Sequence, residues 1–306
     1  MKAIKTHIFF NPFSAGGRTG KAQQEVMRIF EKYFGKDYTF SYTEKQPGDK
    51  HLMDKFLDNG YESIIAVGGD GTIHHVVNQL FQKEEYTKKI KLGIISSGTG
   101  KGFAESLSLP ESIEKQISRI KNGEAYFTDI GKIEYNLNKN TVTRYFVNEF
   151  QLGIGGEVVK RVNQEQKRFN GRLAIPFGTI SSILLYPNQS LSIKINGESV
   201  ESTFTGAIIA NGAFTGGGMN IAPFAKLNDG LLDVILIKGQ NAFERLLNFS
   251  KIYSGRYINS KKILYKQSKE IFIDSKENIP MEADGELLSG LPCKISIIEK
   301  AIKVYN

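Results

Sequence analysis

The stretch Ser63–Leu80, SIIAVGGDGTIHHVVNQL, constrains the chain more than any other, because an apolar run passes through Gly68-Gly69-Asp70-Gly71-Thr72 directly into a helical pattern. Glycines let a backbone turn sharply and come close to a ligand that a side chain would push away. The amides at the start of the following helix favour an anion. The turn is therefore a phosphate site in outline. Asp70 is the odd member, since a carboxylate beside phosphates repels them unless a divalent cation stands between. It is read as positioning Mg²⁺, directly or through water. An ordinary strand–helix turn with Asp70 as a helix cap is the competing reading of these residues alone.

The same unit recurs. His7–Phe10 is a short apolar run that stops at Asn11-Pro12-Phe13-Ser14-Ala15-Gly16-Gly17, and Val26, Ile29, Phe30 and Tyr33 then fall at helical spacing within 21–34. Residues 38–45 alternate as a second strand with Thr43 at its end. Residues 50–58 read as a helix, 63–67 as the third strand and 73–82 as its helix. KLGIISSGT, from Lys91, is a fourth strand ending at Gly98-Thr99-Gly100. These repeats predict an α/β domain over 1–128, a doubly wound, Rossmann-like parallel sheet. Its glycine loops would converge at the carboxyl ends of the strands, where such sheets bind ligands.

From Thr128 the texture changes to short alternating runs separated by turn signals such as Asn196-Gly197 and Asn228-Asp229-Gly230. Residues 129–292 are expected to form a second, mainly antiparallel β-sandwich domain with helices at 157–186 and 241–254. Residues 293–306 form a final strand that could return to the first domain. Two tempting motifs fail. GTGKG at 98–102 lacks the P-loop spacing, since Ile95 stands where its first glycine is needed and Gly102 follows Lys101. GIGGE at 153–157 is too short for a dinucleotide fingerprint and reads as a bulge or turn.

Composition narrows the class. A net charge of +8 suits a phosphate-rich partner or an anionic membrane surface. The single cysteine, Cys293, excludes an internal disulfide and a cysteine-based zinc site. No run of eighteen apolar residues exists, so the expectation is a cytoplasmic protein, peripherally membrane-associated and not spanning a bilayer.

GGDGT resembles the signature shared by diacylglycerol, sphingosine and ceramide kinases, NAD kinases and phosphofructokinases. Together with NPFSAGG at 11–17, GTGKGFAESL from Gly98, TDIG at 128–131, NGAFTGGGMNIAPFAKLNDGLLDV at 211–234 and MEADGELL at 281–288, it makes the chain resemble the bacterial diacylglycerol kinase-like lipid kinase family over almost its whole length. The resemblance implies ATP between the domains, touching Asn11, Pro12, Phe13, Ser14, Ala15, Thr43, Gly68, Gly69, Asp70, Gly71, Thr72, Gly98 and Thr99. Asp70 would hold the catalytic Mg²⁺ through water. Lys226, Asp229 and the Leu231 carbonyl match a second, structural Mg²⁺ site of some bacterial members, with Asp129 joining that network. The acidic turn residue of LNDG is the competing reading of Asp229.

The chemistry of MEADGE stands without the family. An acceptor hydroxyl must lose its proton as a phosphoryl group arrives, and a carboxylate in reach can take it. Glu282, Asp284 and Glu286 would share one face of a strand unless the turn at Gly285 intervenes. By resemblance Glu286 is the base and Asp284 positions it. The chain departs from the family pattern at Lys101-Gly102 and at His75, and adjacent His74-His75 do not make a helical metal pair.

The resulting reading is an ATP-dependent lipid kinase that phosphorylates the hydroxyl of a membrane lipid such as diacylglycerol. Its partners are ATP, that lipid and an anionic membrane surface, with no nucleic acid and with homodimerisation left open. The segment from Phe169 to Tyr186 offers apolar surface to line an acyl slot or meet the bilayer, near Lys160, Arg161, Lys167, Arg168 and Arg172. An NAD kinase-like enzyme and a noncatalytic lipid or nucleotide sensor are the alternatives.

Overall fold

In the computed structural model of the 306-residue chain, residues 4–43, 56, 59–98, 100–138, 140–166 and 171–306 are described. Thr99, Lys167, Arg168 and Phe169, nearly all of the expected helix 50–58, and the side chain of Arg172 lie outside the described residues.

The first half follows from strands that are apolar on both faces. β1 (Thr6–Phe10) and β3 (Ser63–Gly68) are buried throughout, and β4 (Lys91–Ser96) is buried except at its first residue. Continuous apolar strands of this kind need cover on both sides. With β2 (Tyr38–Tyr42) they form a parallel sheet in the order β2-β1-β3-β4. Alternation sends Ile8, Phe10, Ile65 and Val67 to one face, where α1 (Gln23–Phe34) applies Val26, Phe30 and Phe34. Phe9, Ile64 and Ala66 go to the other, against Ile73, Val76, Val77 and Leu80 of α2 (Asp70–Leu80). Two further helices follow β4: α3 (Gly102–Ser106) and α4 (Ile113–Asn122), the latter capped by Ser112.

The second half is antiparallel. β5 (Ala125–Leu137), β6 (Asn140–Phe146) and β7 (Glu149–Gly153) lead into α5 (Ile154–Gln166) and α6 (Gly171–Leu185). Then come β8 (Gln189–Ile195), β9 (Glu198–Ala210), β10 (Leu232–Lys238), α7 (Ala242–Ile252), β11 (Ile263–Ser268), β12 (Glu270–Asp274), β13 (Met281–Ala283), β14 (Glu286–Leu288) and β15 (Cys293–Tyr305). β9 is shared. Its first half pairs with β8, while residues 206–210 pair with β7 on one side and β10 on the other. The sandwich closes over Phe146, Phe150, Phe204, Ile193, Val234, Ile271 and Ile295.

The helical segment expected at 157–186 is two helices, and the first begins at Ile154, inside GIGGE. Gly153, at φ 82°, is the turn. Gly156 must lack a side chain because its Cβ would lie 2.4 Å from the Pro280 carbonyl oxygen, so α5 packs directly on the strand leading into β13. The helix near 241–254 runs from Ala242 to Ile252 behind a capping box of Asn241 and Glu244.

β15 spans both halves. It pairs antiparallel with β12 and β5, and then Lys303 and Val304 pair parallel with Lys91 and Leu92 of β4. Among the described residues fifteen strands thus form one continuous hydrogen-bonded network.

Candidate active site

Three glycine-containing loops meet at the carboxyl edge of the parallel sheet. The Asn11 side-chain amide donates to Thr72 Oγ1 at 2.9 Å, and Asn11 Oδ1 accepts from the Phe13 amide. The first loop is thereby fixed to the start of α2. Thr19 holds the third loop by donating to Ser97 Oγ at 3.0 Å. Gly69 and Gly98 touch backbone to backbone, since a Cβ on Gly98 would lie 2.5 Å from the Gly69 Cα. Ser14 Oγ flanks the same contact. Ala15 sits at φ 56°, a strained position for a residue with a Cβ and one that clusters at ligand-binding loops. Thr43 receives its place from a backbone bond to Phe10, and its buried hydroxyl has no partner among the described residues. The three loops therefore face one crevice, and Thr43 stands at the end of the neighbouring strand, beside the first of them.

The MEADGE segment arrives from the other half as a hairpin. Asp284 and Gly285 both have positive φ (48° and 88°), and β13 pairs back on β14 with Ala283 opposite Glu286. The turn divides the three carboxylates. Glu282 and Asp284 are buried, whereas Glu286 is exposed. Glu286 Oε1 lies 3.5 Å from where a Cβ on Gly71 would stand, over the start of α2 and beside the GGDGT turn.

Asp284 is consumed by structure. Its Oδ2 accepts from the Val147 amide (2.9 Å) and His74 Nδ1 (3.0 Å), and its Oδ1 accepts from the amides of Asn148 (2.9 Å) and Glu149 (3.2 Å). With four donors on two oxygens, it orients the hairpin. His74, which the sequence reading only excluded as a metal ligand, is thus part of the site's frame. Three asparagines complete it. Asn78 pairs with both backbone groups of Tyr145. Asn148 bridges Ser106 and the Phe214 carbonyl. Asn211 donates to the carbonyls of Asp129 and Val147. His75 turns instead to Gln79.

Asp70 occupies the middle of the crevice. Its oxygens accept two long bonds, from Gly102 (3.2 Å) and Phe103 (3.3 Å) at the start of α3. It therefore caps α3 rather than its own helix. The departure at Gly102 has a steric reason, for a Cβ there would lie 2.8 Å from Asn148 Nδ2 and 2.9 Å from the Phe214 carbonyl oxygen. Burial pushes the Asp70 carboxyl up to about 6, opposed by those two amides and assisted by the negative Asp284 and Glu105. A carboxylate so desolvated, with lone pairs left over and no basic partner among the described residues, fits a nearby divalent cation.

The LNDG residues have a different setting. Asp129 is buried, and its two oxygens accept from the amides of Gly230 (2.8 Å) and Lys300 (2.7 Å), fastening that loop to β15. Asp229 is exposed and accepts from the Leu231 amide within its own turn, and Lys226 is exposed. Among the described residues no group of three or more His, Cys, Asp or Glu side chains converges as metal ligands.

A cavity of about 410 Å³ opens from this crevice into the second half. One end is formed by Asp70, Asp284, Gly285 and the Thr215-Gly216-Gly217 loop. The walls are apolar, with Leu152 and Ile208 from the sheet and Val158, Ile183 and Phe249 from the three helices. α6 uses both faces: Thr179 and Ile183 line the cavity while Phe177, Ile180, Leu184 and Leu185 are exposed, as are Phe243, Leu246 and Leu247 of neighbouring α7. Of the expected basic cluster, Lys160 and Arg161 both face Glu157, Arg161 at 2.6 Å. Among the described residues no helix is long and apolar enough to cross a membrane.

Comparison with known proteins agrees with this geometry. Residues 5–133 match the diacylglycerol kinase catalytic domain, and residues 149–306 match the YegS C-terminal NAD kinase beta sandwich-like domain. A protein of Staphylococcus carnosus (strain TM300), named diacylglycerol kinase, is 28% identical over 99% of this chain and 95% of its own length. A solved structure from Bacillus anthracis str. Sterne that carries the diacylglycerol kinase name has a TM-score of 0.80 at 23% identity, covering 100% of this chain and 96% of that one. Yeast NADH kinase, solved with NADH, shares the fold at a TM-score of 0.51 and 12% identity, covering 100% of this chain and 83% of that one.

Proposed function

Because the chain belongs to the diacylglycerol kinase-like lipid kinase family, we propose that it transfers the γ-phosphoryl group of ATP to the hydroxyl of a membrane lipid alcohol. The observation that carries this reading is the continuity of the crevice with the cavity: a polar group of Asp70, Glu149, Gln151, Glu282 and Asp284, and otherwise mostly apolar walls. A hydrocarbon chain placed along those walls leaves its hydroxyl at the polar end. Nucleotide phosphates would lie on the Asn11–Ala15 loop, the Gly68–Thr72 turn and Gly98, with Asp70 as the carboxylate beside a Mg²⁺ ion. That ion supplies charge neutralisation at the phosphates when bound.

Each protein group then has a separate task. Glu286 stands over Gly71 and is the exposed carboxylate that can take the acceptor proton. Asp284, with its four donors, fixes the hairpin that carries it. The exposed apolar faces of α6 and α7 beside the cavity support peripheral contact with a bilayer, from which the lipid would enter. An NAD kinase-like acceptor fits less well, since apolar walls offer a dinucleotide's sugars and phosphates few hydrogen bonds.

The test is Glu286→Gln assayed with labelled ATP and lipid alcohols in mixed micelles. kcat should fall by roughly 10²- to 10⁴-fold with ATP affinity little changed. A folded variant that transfers phosphate at near wild-type rate refutes Glu286 as the base. Wild-type protein that labels NAD and no lipid refutes the lipid acceptor.

A further inference from the structure

The mechanism above leaves two buried carboxyl groups unused. Glu149 and Gln151 project from β7 to the same side as Glu282 and Asp284 from β13, with Glu282 opposite Gln151 in the register. All four line the apolar cavity. Glu149 and Glu282 are only 3% and 1% exposed. On each, one oxygen is engaged: Thr215 donates its hydroxyl to Glu149 Oε1, and the Gly285 amide donates to Glu282 Oε2 at 2.8 Å. The other oxygen of each, Glu149 Oε2 and Glu282 Oε1, has no hydrogen-bond partner among the described residues. Orphaned buried oxygens are costly, and a purely structural position would favour an apolar side chain of the same size.

We propose that Glu149 and Glu282 together read the headgroup of the acceptor, their free oxygens binding the ester oxygens of an uncharged, ester-linked lipid alcohol. This rests on the lipid-acceptor reading and gives that acceptor a chemical class. Recognition depends on which atom holds the proton. Among the described residues no Lys or Arg lines the cavity. Desolvation is compounded at Glu149 by Glu282 and Asp284 and opposed by the Thr215 hydroxyl; at Glu282 it is opposed by the Gly285 amide and the Gln151 side chain and compounded by Asp284 and Glu286. Burial pushes Glu282 up to about 8 and Glu149 well above its ordinary value. Glu282 is therefore predominantly a neutral acid at pH 7, and the same causes favour the neutral form of Glu149. Since the engaged oxygen of each is already an acceptor, the proton belongs on the free oxygen, which becomes an O–H donor aimed into the cavity. A carbonyl oxygen of an ester is the complementary partner in apolar surroundings. A lipid ammonium would instead require one carboxyl to ionise against its burial.

Binding of 1,2-dioctanoylglycerol by calorimetry, alongside phosphoryl transfer, separates the outcomes for Glu149→Gln, Glu282→Gln, Glu149→Met and Glu282→Met. A glutamine presents its carbonyl to Thr215 or Gly285 and an N–H to the lipid, so affinity should fall no more than about threefold. A methionine has no donor, and each such change should weaken lipid binding about 5- to 10-fold with KM for ATP unchanged. Met variants that bind as tightly as wild type overturn the proposal, as does a wild type that does not bind dioctanoylglycerol. Tighter binding of a C18 2-amino-1,3-diol, lost in the Gln variants, also overturns it, because charge would then be the recognised property. Wild type that binds dioctanoylglycerol without phosphorylating it sinks the kinase reading and leaves this one standing.

Discussion

Asp284→Asn should destabilise the protein by about 3 kcal/mol. The substitution changes one carboxylate oxygen into an NH₂ group, and each oxygen of Asp284 currently serves two donors. If the NH₂ replaced Oδ1 it would confront the amides of Asn148 and Glu149, neither of which can become an acceptor. If it replaced Oδ2 it would confront the Val147 amide and His74 Nδ1, and the imidazole can move its proton to Nε2 and accept. The asparagine therefore turns its NH₂ toward His74 and leaves the Val147 amide orphaned. One buried orphan costs about 1–3 kcal/mol, and converting the bonds on the remaining oxygen from charge-assisted to neutral costs about 1 kcal/mol more. Against a typical stability of about 5–15 kcal/mol the loss is large but survivable. Urea titration of Asp284→Asn and wild type measures it directly, and Glu286→Gln, whose side chain is exposed, serves as the control near zero. A loss below about 1 kcal/mol would refute the assignment of Asp284 as the latch of the hairpin.

Asp70→Asn should abolish phosphoryl transfer while preserving the fold, because the amide keeps the size but not the charge; near-normal turnover in the folded variant would exclude the metal role. Glu282 gives a pH signature. Its folded pKa near 8 exceeds the ordinary 4.5, so the folded state keeps a proton that the unfolded chain releases, and stability falls as pH rises from about 4.5 to 8. Glu282→Gln should flatten that part of the Tm–pH curve relative to wild type; identical slopes would contradict the buried protonated state. Gly98→Ala forces a methyl to within 2.5 Å of the Gly69 Cα, so two loops must part and nucleotide affinity should drop at least tenfold, a loss that nucleotide titration would detect.

The parts legible in the sequence were those governed by short-range pattern. Alternation and helical spacing around GGDGT predicted a covered parallel sheet, and the structure has it, because each strand's neighbours in sequence decide which face its side chains take. The Asp284-Gly285 turn was legible too, as the dipeptide that tolerates two positive φ values. Its consequence was not, for only the hairpin separates exposed Glu286 from buried Glu282. The frame of the site was illegible for a different reason. His74 meets Asp284, Asn78 meets Tyr145 and Asn148 meets Phe214 across separations that no local pattern encodes. The one available signal was that polar residues stand among apolar ones: Asn78 beside Val76, Val77 and Leu80 in α2, and Asn148-Glu149 between Val147 and Phe150. Such groups survive burial only with designated partners.

The parallel sheet's β4 finds its outer neighbour only when Lys303 comes to lie opposite Lys91. During synthesis about two hundred residues must emerge before Lys91 and Leu92 gain that neighbour, so the outer edge of an apolar strand stays available to wrong partners for tens of seconds. Pairing across so long a loop is slow to nucleate. Dividing this protein at its apparent midpoint would therefore leave the front half with an open edge and the rear half with a strand lacking its seat. Expressed separately, the halves should aggregate; expressed together, they should recover one another in proportion to their concentrations.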